Sequence, residues 1–128
     1  MSSPAADLKV LIVDDNPLNL RLASVTLKVA GFEVRTADGA EEALRVIPDF
    51  QPRVILMDLQ MPGIDGLTLT RGLKADPATA DIAIVATTSY AMTGDRERAL
   101  EAGCDGYVSK PIDTRTFADT IRGFGVHA

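Results

Sequence analysis

The sequence holds one cysteine, one histidine and no tryptophan, and its aromatic share is only 5%. A lone thiol, Cys104, excludes an internal disulfide and fits a reducing compartment; it is expected to fill core space. The single histidine, His127, stands next to the end of the chain and reads as tail, so no phosphohistidine site is expected. No apolar run reaches the length of a membrane span. The opening residues lack the basic and apolar regions of a secretory signal. A basic excess is also missing: 13 Lys and Arg stand against 18 Asp and Glu, for a net charge of −5. Because phosphate contacts supply most nucleic-acid affinity, direct nucleic-acid binding is not expected, nor is membrane insertion. A soluble cytoplasmic protein is the expectation.

What is present fits one domain. At 128 residues a chain buries about two-thirds of its unfolded surface and needs no staple. Residues 1–8 read as a loose N-terminal tail and 9–125 as the domain. Val10-Leu-Ile-Val13 is short, unbroken and β-branched, the mark of a strand buried on both faces. Asn16 then reads as a helix N-cap with Pro17 in the first turn, and that helix should stop at Gly31. Phe32 to Ala37 is a second strand. Asp38 with Glu41 has the spacing of a capping box, and the second helix should end before Pro48. Val54-Ile-Leu-Met57 is a third strand, ending at Asp58, and the helix beyond Gly66 should run to about Ala75. Ile82 to Ala86 is a fourth strand and Gly106 to Ser109 a weak fifth. A fourth helix is expected between Ala91 and Ala102, and a fifth after Asp113 as cap, to about Gly123.

Five alternations of strand and helix predict an α/β fold: a doubly wound parallel sheet with five helices, flavodoxin-like, in the order 2-1-3-4-5. The rarer polar residues gather at one edge of that sheet. Asp14 and Asp15 follow the first strand, Asp58 ends the third, Thr87 and Thr88 the fourth, and Lys110 the fifth. Ligands of such sheets bind at the carboxyl ends, where strand order reverses between strands 1 and 3. Three carboxylates meeting there repel one another, and a cation relieves the repulsion. A donor set of oxygen alone suits a hard ion such as Mg²⁺, which takes one or two carboxylates, waters and a phosphate oxygen. Three carboxylates, one divalent cation and one lysine balance to zero, so a phosphoryl group can enter at low electrostatic cost. A carboxylate can itself be the nucleophile, forming an aspartyl phosphate.

Ile12-Val-Asp-Asp-Asn16, Met57-Asp-Leu-Gln-Met-Pro-Gly-Ile-Asp-Gly66 and Ser109-Lys-Pro111 together resemble the receiver domains of bacterial two-component response regulators. The stretch Ala91-Met-Thr-Gly-Asp-Arg-Glu-Arg98 with Glu101-Ala-Gly103 also resembles phosphorelay receivers and DivK-like single-domain regulators. The resemblance runs from about Lys9 to Phe124 and implies roles. Asp58 would be the phosphoacceptor. Asp14, Asp15, Asp58 and the backbone carbonyl of Gln60 would bind Mg²⁺. Lys110 would hold the phosphoryl group, with Pro111 after it in cis. Thr88, rather than Thr87, would be the switch hydroxyl and Tyr107 the aromatic switch. The phosphodonor would be a histidine kinase or a histidine phosphotransfer protein. The chain stops soon after Pro111, so no output domain is expected, and the output would be contact with a downstream protein target through helix 4, strand 5 and helix 5. Some Mg²⁺-dependent autophosphorylation and autodephosphorylation is implied, without turnover of a conventional substrate.

Plainer readings stand beside these. Acids at strand ends are often only helix caps, and Tyr107 suits an amphipathic edge position as well as a switch. In the first helix Leu18, Leu22, Val25 and Val29 form one apolar stripe; Leu20, Ala23, Leu27 and Ala30 form another. Arg21, Ser24 and Lys28 are left as its polar face, and the apolar arc spans roughly 220°. Either part of it is exposed for a phosphodonor or a neighbouring helix covers it. Three other functions compete. A flavodoxin-like electron carrier must cradle phosphate where Asp14 and Asp15 repel it. An aspartyl-phosphate phosphatase resembles Asp-x-Asp, whereas Asp58 is followed by Leu59 and Gln60. A receiver-like adaptor that is never phosphorylated should lack an acid or the lysine, and neither is missing here.

Overall fold

Two unbroken apolar runs become the inner strands of a parallel sheet, because only a strand covered on both faces can be apolar at every position. The computed structural model describes residues 8–59, 66–88, 95–109 and 113–127. Elements follow in the order β1 (Lys9–Val13), α1 (Pro17–Val29), β2 (Glu33–Ala37), α2 (Ala40–Phe50), β3 (Val54–Asp58), α3 (Gly66–Ala75), β4 (Ala83–Thr88), α4 (Asp95–Ala102), β5 (Gly106–Ser109) and α5 (Phe117–His127). The five strands lie in the order β2-β1-β3-β4-β5, all parallel. This is the flavodoxin-like arrangement expected from the alternation.

Strand side chains alternate between the two faces, and the core divides accordingly. Leu11, Val13, Ile55, Met57, Ile84 and Ala86 join Ala43 and Ile47 of α2, Leu69 and Leu73 of α3, and Ala99 of α4. Val10, Ile12, Val54, Leu56 and Val85 join Ala23 and Leu27 of α1, with Phe117 and Ile121 of α5, on the opposite face. Each fully buried Leu, Ile or Val contributes about 1.5–3 kcal/mol relative to exposure, so β1 and β3 anchor the fold.

The capping signals expected at α1 are present. The Asn16 side chain accepts from the N–H groups of Leu18 and Asn19, Pro17 opens the helix, and Gly31 takes the left-handed conformation after it. Ser24, expected on the polar face, is buried. At 100° per residue it lies 40° from Leu20, inside the stripe that faces the sheet.

Two expectations at α2 are corrected. Its N-cap is Gly39, not Asp38, and Glu42, not Glu41, reaches back to accept from the Asp38 N–H at 3.2 Å. The helix also passes through Pro48 to Phe50. Proline removes one hydrogen bond, to the carbonyl of Leu44. Leu44 is exposed, so water can replace that bond, and the helix ends two residues after Pro48, at Phe50, capped by Gln51 in the left-handed conformation. At the far end, Asp113 caps a turn before α5: its carbonyl accepts from Thr116 and Phe117 and its Oδ1 from the Arg115 N–H. The helix proper starts at Phe117 and runs past Gly123 to His127. Cys104 is buried as expected, and burial pushes its thiol up from the ordinary value. The start of the fourth helix, expected at Ala91, falls outside the described residues.

Candidate metal and phosphoryl site

The site begins with how β1 stops. The Asp14 N–H donates to Ala37 O at 3.1 Å, carrying the β1–β2 ladder one residue past the strand. Its Oδ1 then accepts from the Asn16 N–H at 2.9 Å, which turns the chain into α1. Asp14 is consequently buried, 4% exposed, while Asp15 points into solvent.

Register brings the other acid alongside. Val13 pairs with Met57, so the next positions, Asp14 and Asp58, adjoin across β1 and β3. Asp58 is 2% exposed and pairs on its other side with Thr87. The Leu59 N–H donates to Thr87 O at 3.0 Å, so the ladder continues past the acid and holds its backbone. Gly66, the first residue of α3, lies against the Asp58 carbonyl; a Cβ there would collide with it and would come within 3.1 Å of both Leu59 Cα and Met57 Cγ. The result is a group of three carboxylates, Asp14, Asp15 and Asp58, each offering one oxygen within 4.8 Å of the others.

That donor set contains neither nitrogen nor sulfur. It fits a small hard cation and not the softer metals that favour histidine or cysteine. The partial exposure of the group through Asp15 leaves room for water or a ligand oxygen on the ion.

Strand periodicity separates the two threonines at the end of β4. Thr87 donates from its hydroxyl to Met57 O at 3.4 Å, a bond back into β3. Thr88 is fully buried and pairs with Ser109 of β5. Tyr107 pairs with Ala86, two positions back, so Thr88 and Tyr107 share one face of neighbouring strands. Tyr107 is partly buried against the core under α2, α3 and α4. Gln60, Lys110 and Pro111 lie outside the described residues.

Two features of this site had little sequence signal. Gly66 reads as one more turn former, yet its lack of a side chain is what admits α3 to the back of Asp58. The bond from Asn16 to Asp14 could be found only by noticing that an Asp two residues before an amide can close an Asx turn. A separate hollow of about 550 Å³ lies at the opposite edge of the sheet, between Pro52, Arg53, Asp81, Asp105 and Phe124.

Comparison with known proteins agrees with this geometry. The profile of the response regulator receiver domain matches residues 10–122. The polar-differentiation response regulator DivK of Brucella anthropi is 41% identical over 116 residues, covering 90% of this chain and 94% of that protein. Among solved structures, a response regulator from Chloroflexus aurantiacus superimposes with a TM-score of 0.88 at 30% identity, over 93% of this chain and 98% of that one. The Vibrio cholerae chemotaxis protein CheY4 gives 0.86 at 27% identity, over 91% and 98%. With its acids gathered between β1 and β3 of a 2-1-3-4-5 sheet, the chain belongs to the response regulator receiver domain family.

Proposed function

We propose that this protein is a single-domain response regulator that accepts a phosphoryl group on Asp58 from the phosphohistidine of a histidine kinase or a histidine phosphotransfer protein in the cytoplasm. The observation that carries the reading is the convergence of three carboxylate oxygens within 4.8 Å at the carboxyl edge, with Asp58 buried at the end of β3. In the transfer, a carboxylate oxygen of Asp58 attacks phosphorus in line, the P–O bond forms, and the P–N bond to the donor imidazole breaks. The protein's part is positioning and charge stabilisation. The pairing of Asp58 with Thr87, the ladder bond from Leu59 to Thr87 and the contact with Gly66 fix the nucleophile's backbone.

Asp14, Asp15, Asp58 and the Gln60 carbonyl would hold Mg²⁺, which supplies charge compensation for the transferred group. Lys110 would take a second phosphoryl oxygen and the Thr88 hydroxyl a third. Movement of Thr88 toward the phosphate would vacate space on the face it shares with Tyr107. That couples Asp58 to the surface of α4, β5 and α5, the proposed contact for a downstream target. Such a change shifts an existing equilibrium between two surfaces.

Donor docking is supported by α1. Leu18, Leu22, Val25 and Val29 are 77%, 43%, 52% and 84% exposed. Their 4-3-4 spacing is that of a coiled-coil seam, and the stripe starts three residues beyond Asp15. A partner helix laid on this seam would bring its own histidine toward the acid cluster.

The test is to offer acetyl phosphate with Mg²⁺ and follow intact mass. The parent should gain one phosphoryl group, and Asp58→Asn or a chelator should prevent it. An undiminished gain in Asp58→Asn would remove Asp58 from the mechanism. A parent that gains nothing under these conditions and from any kinase would make the chain a binding adaptor instead.

A further inference from the structure

The acid cluster occupies one edge of the sheet; a different polar junction closes the other. Lys74 lies in the last turn of α3. Its ammonium donates to Ile82 O at 2.7 Å, to Ala80 O at 3.2 Å and to Asp105 Oδ2 at 2.9 Å. Three acceptors from two segments thus use all three of its donors. Asp105 Oδ2 also accepts from the Ile84 N–H at 2.8 Å, and the Asp105 N–H donates to Ile84 O at 2.7 Å. Asp105 therefore brackets one residue of β4, Ile84, just before β5 begins.

The same lysine meets the end of α4. Gly103 has φ +108° and sits over the Lys74 stem, where a Cβ would come within 2.9 Å of Lys74 Cγ. The Gly103 N–H bonds Leu100 O and the Cys104 N–H bonds Ala99 O, the paired wrap of a Schellman end. Ala99 and Ala102 above it are buried. The C-terminal end of α4 is thus held to α3 and to the amino end of β4. Thr88, at the carboxyl end of β4, precedes the opposite end of α4. An exposed ion pair alone would contribute little, but here the lysine is mostly covered and bonds two backbone carbonyls besides the carboxylate.

We propose that Lys74, Asp105 and Gly103 form the pivot of α4: a displacement begun at Thr88 tilts the helix about its fixed C-terminal end instead of sliding it along the sheet. Lys74 and Asp105 are positioning residues in this scheme, acting on the output surface and not on Asp58. The inference rests on the phosphoacceptor reading above, since that supplies the displacement.

Hydrogen exchange of the full chain, with and without acetyl phosphate and Mg²⁺, tests it, with intact mass recorded on the same samples. In the parent, phosphorylation should alter exchange in the first turn of α4 and leave residues 103–106 unchanged. In Lys74→Met the mass gain should equal the parent's, but phosphorylation should now speed exchange at 103–106 about tenfold, because the anchored end has become a locally opening unit. Asp105→Asn, which can still accept from Ile84, should show the same response more weakly, and serves alone where Lys74→Met does not fold. Equal phosphorylation-dependent exchange at 103–106 in parent and variant overturns the pivot while leaving Asp58 as acceptor. A parent that gains no mass overturns the acceptor reading, and the pivot with it.

Discussion

Gly66 rests directly on the backbone carbonyl of Asp58, so the first residue of α3 and the last of β3 are in contact with no side chain between them. Any Cβ at position 66 must push α3 off the strand or push Asp58 toward the crevice. Overpacking of this kind costs about 1–3 kcal/mol. Gly66→Ala should therefore lower stability by that amount in urea unfolding. It should also slow the acetyl-phosphate reaction by about tenfold or more, since small misplacements of a reacting group are costly. An unchanged rate would mean that α3 yields and Asp58 does not.

The three carboxylates share a site whose charge a divalent ion would relieve. Mg²⁺ should raise the melting temperature, by an amount equivalent to about 2.7 kcal/mol at a hundredfold excess over its dissociation constant. Asp15 is exposed and adds to the repulsion within the acid group, so Asp15→Asn should leave the metal-free melting temperature unchanged or higher. The same variant should weaken Mg²⁺ by about tenfold or more, through loss of one charged ligand. Calorimetric titration reads both effects.

On α1, Val25→Lys should leave stability within about 0.5 kcal/mol, as expected for an exposed site, and should leave the acetyl-phosphate reaction intact. Transfer from a cognate phosphohistidine protein should fall about tenfold, the size of effect seen for a residue central to an interface. Equal loss with both donors would locate the damage in the acid cluster and not at a docking surface.

Cys104 provides a pH test. Burial raises its thiol above the ordinary 9.0, the nearby Asp105 carboxylate adds to the rise, and the Thr70 hydrogen bond and Lys74 oppose it. The unfolded chain therefore loses this proton at lower pH than the folded one. Above pH 9.0 the unfolded state binds fewer protons, so stability falls as pH rises toward the folded value, and below that window the contribution is complete. In denaturation, the parent should lose stability more steeply than Cys104→Ala as pH rises above 9.0. The folded thiol should also react slowly with alkylating agents at neutral pH.

Much of this protein was legible in advance because its strongest signals are local. The apolar runs at 10–13 and 54–57 read as strands covered on both faces, and Asn16-Pro17 reads as a helix start. The acid cluster followed from counting which residues end each strand. Errors came where tertiary circumstances decide. Pro48 reads as a helix end in the sequence; it stands close enough to the true end that one exposed carbonyl bears the loss of its N–H. Asp38 reads as the cap from its spacing to Glu41, but the chain enters α2 through an extended glycine, Gly39, instead. Which part of the α1 arc stays exposed depends on a distant helix, α5, which packs on the Ala23–Leu27 side. The junction of Lys74 with Asp105 carried no pattern at all, since 31 residues separate the partners.

The bond from Asp14 to Ala37 and the pairing of Val13 with Met57 place the acids by register, not by their neighbours' identity. One apolar residue can replace another within β1 or β3 and leave the carboxylates where they are. A codon added to or removed from either strand would keep the segment apolar and carry the acid some 3.3 Å along its axis, onto the other side of the sheet. Among natural variants of such a gene, conservative missense changes in these strands should therefore be common and single-codon insertions or deletions nearly absent.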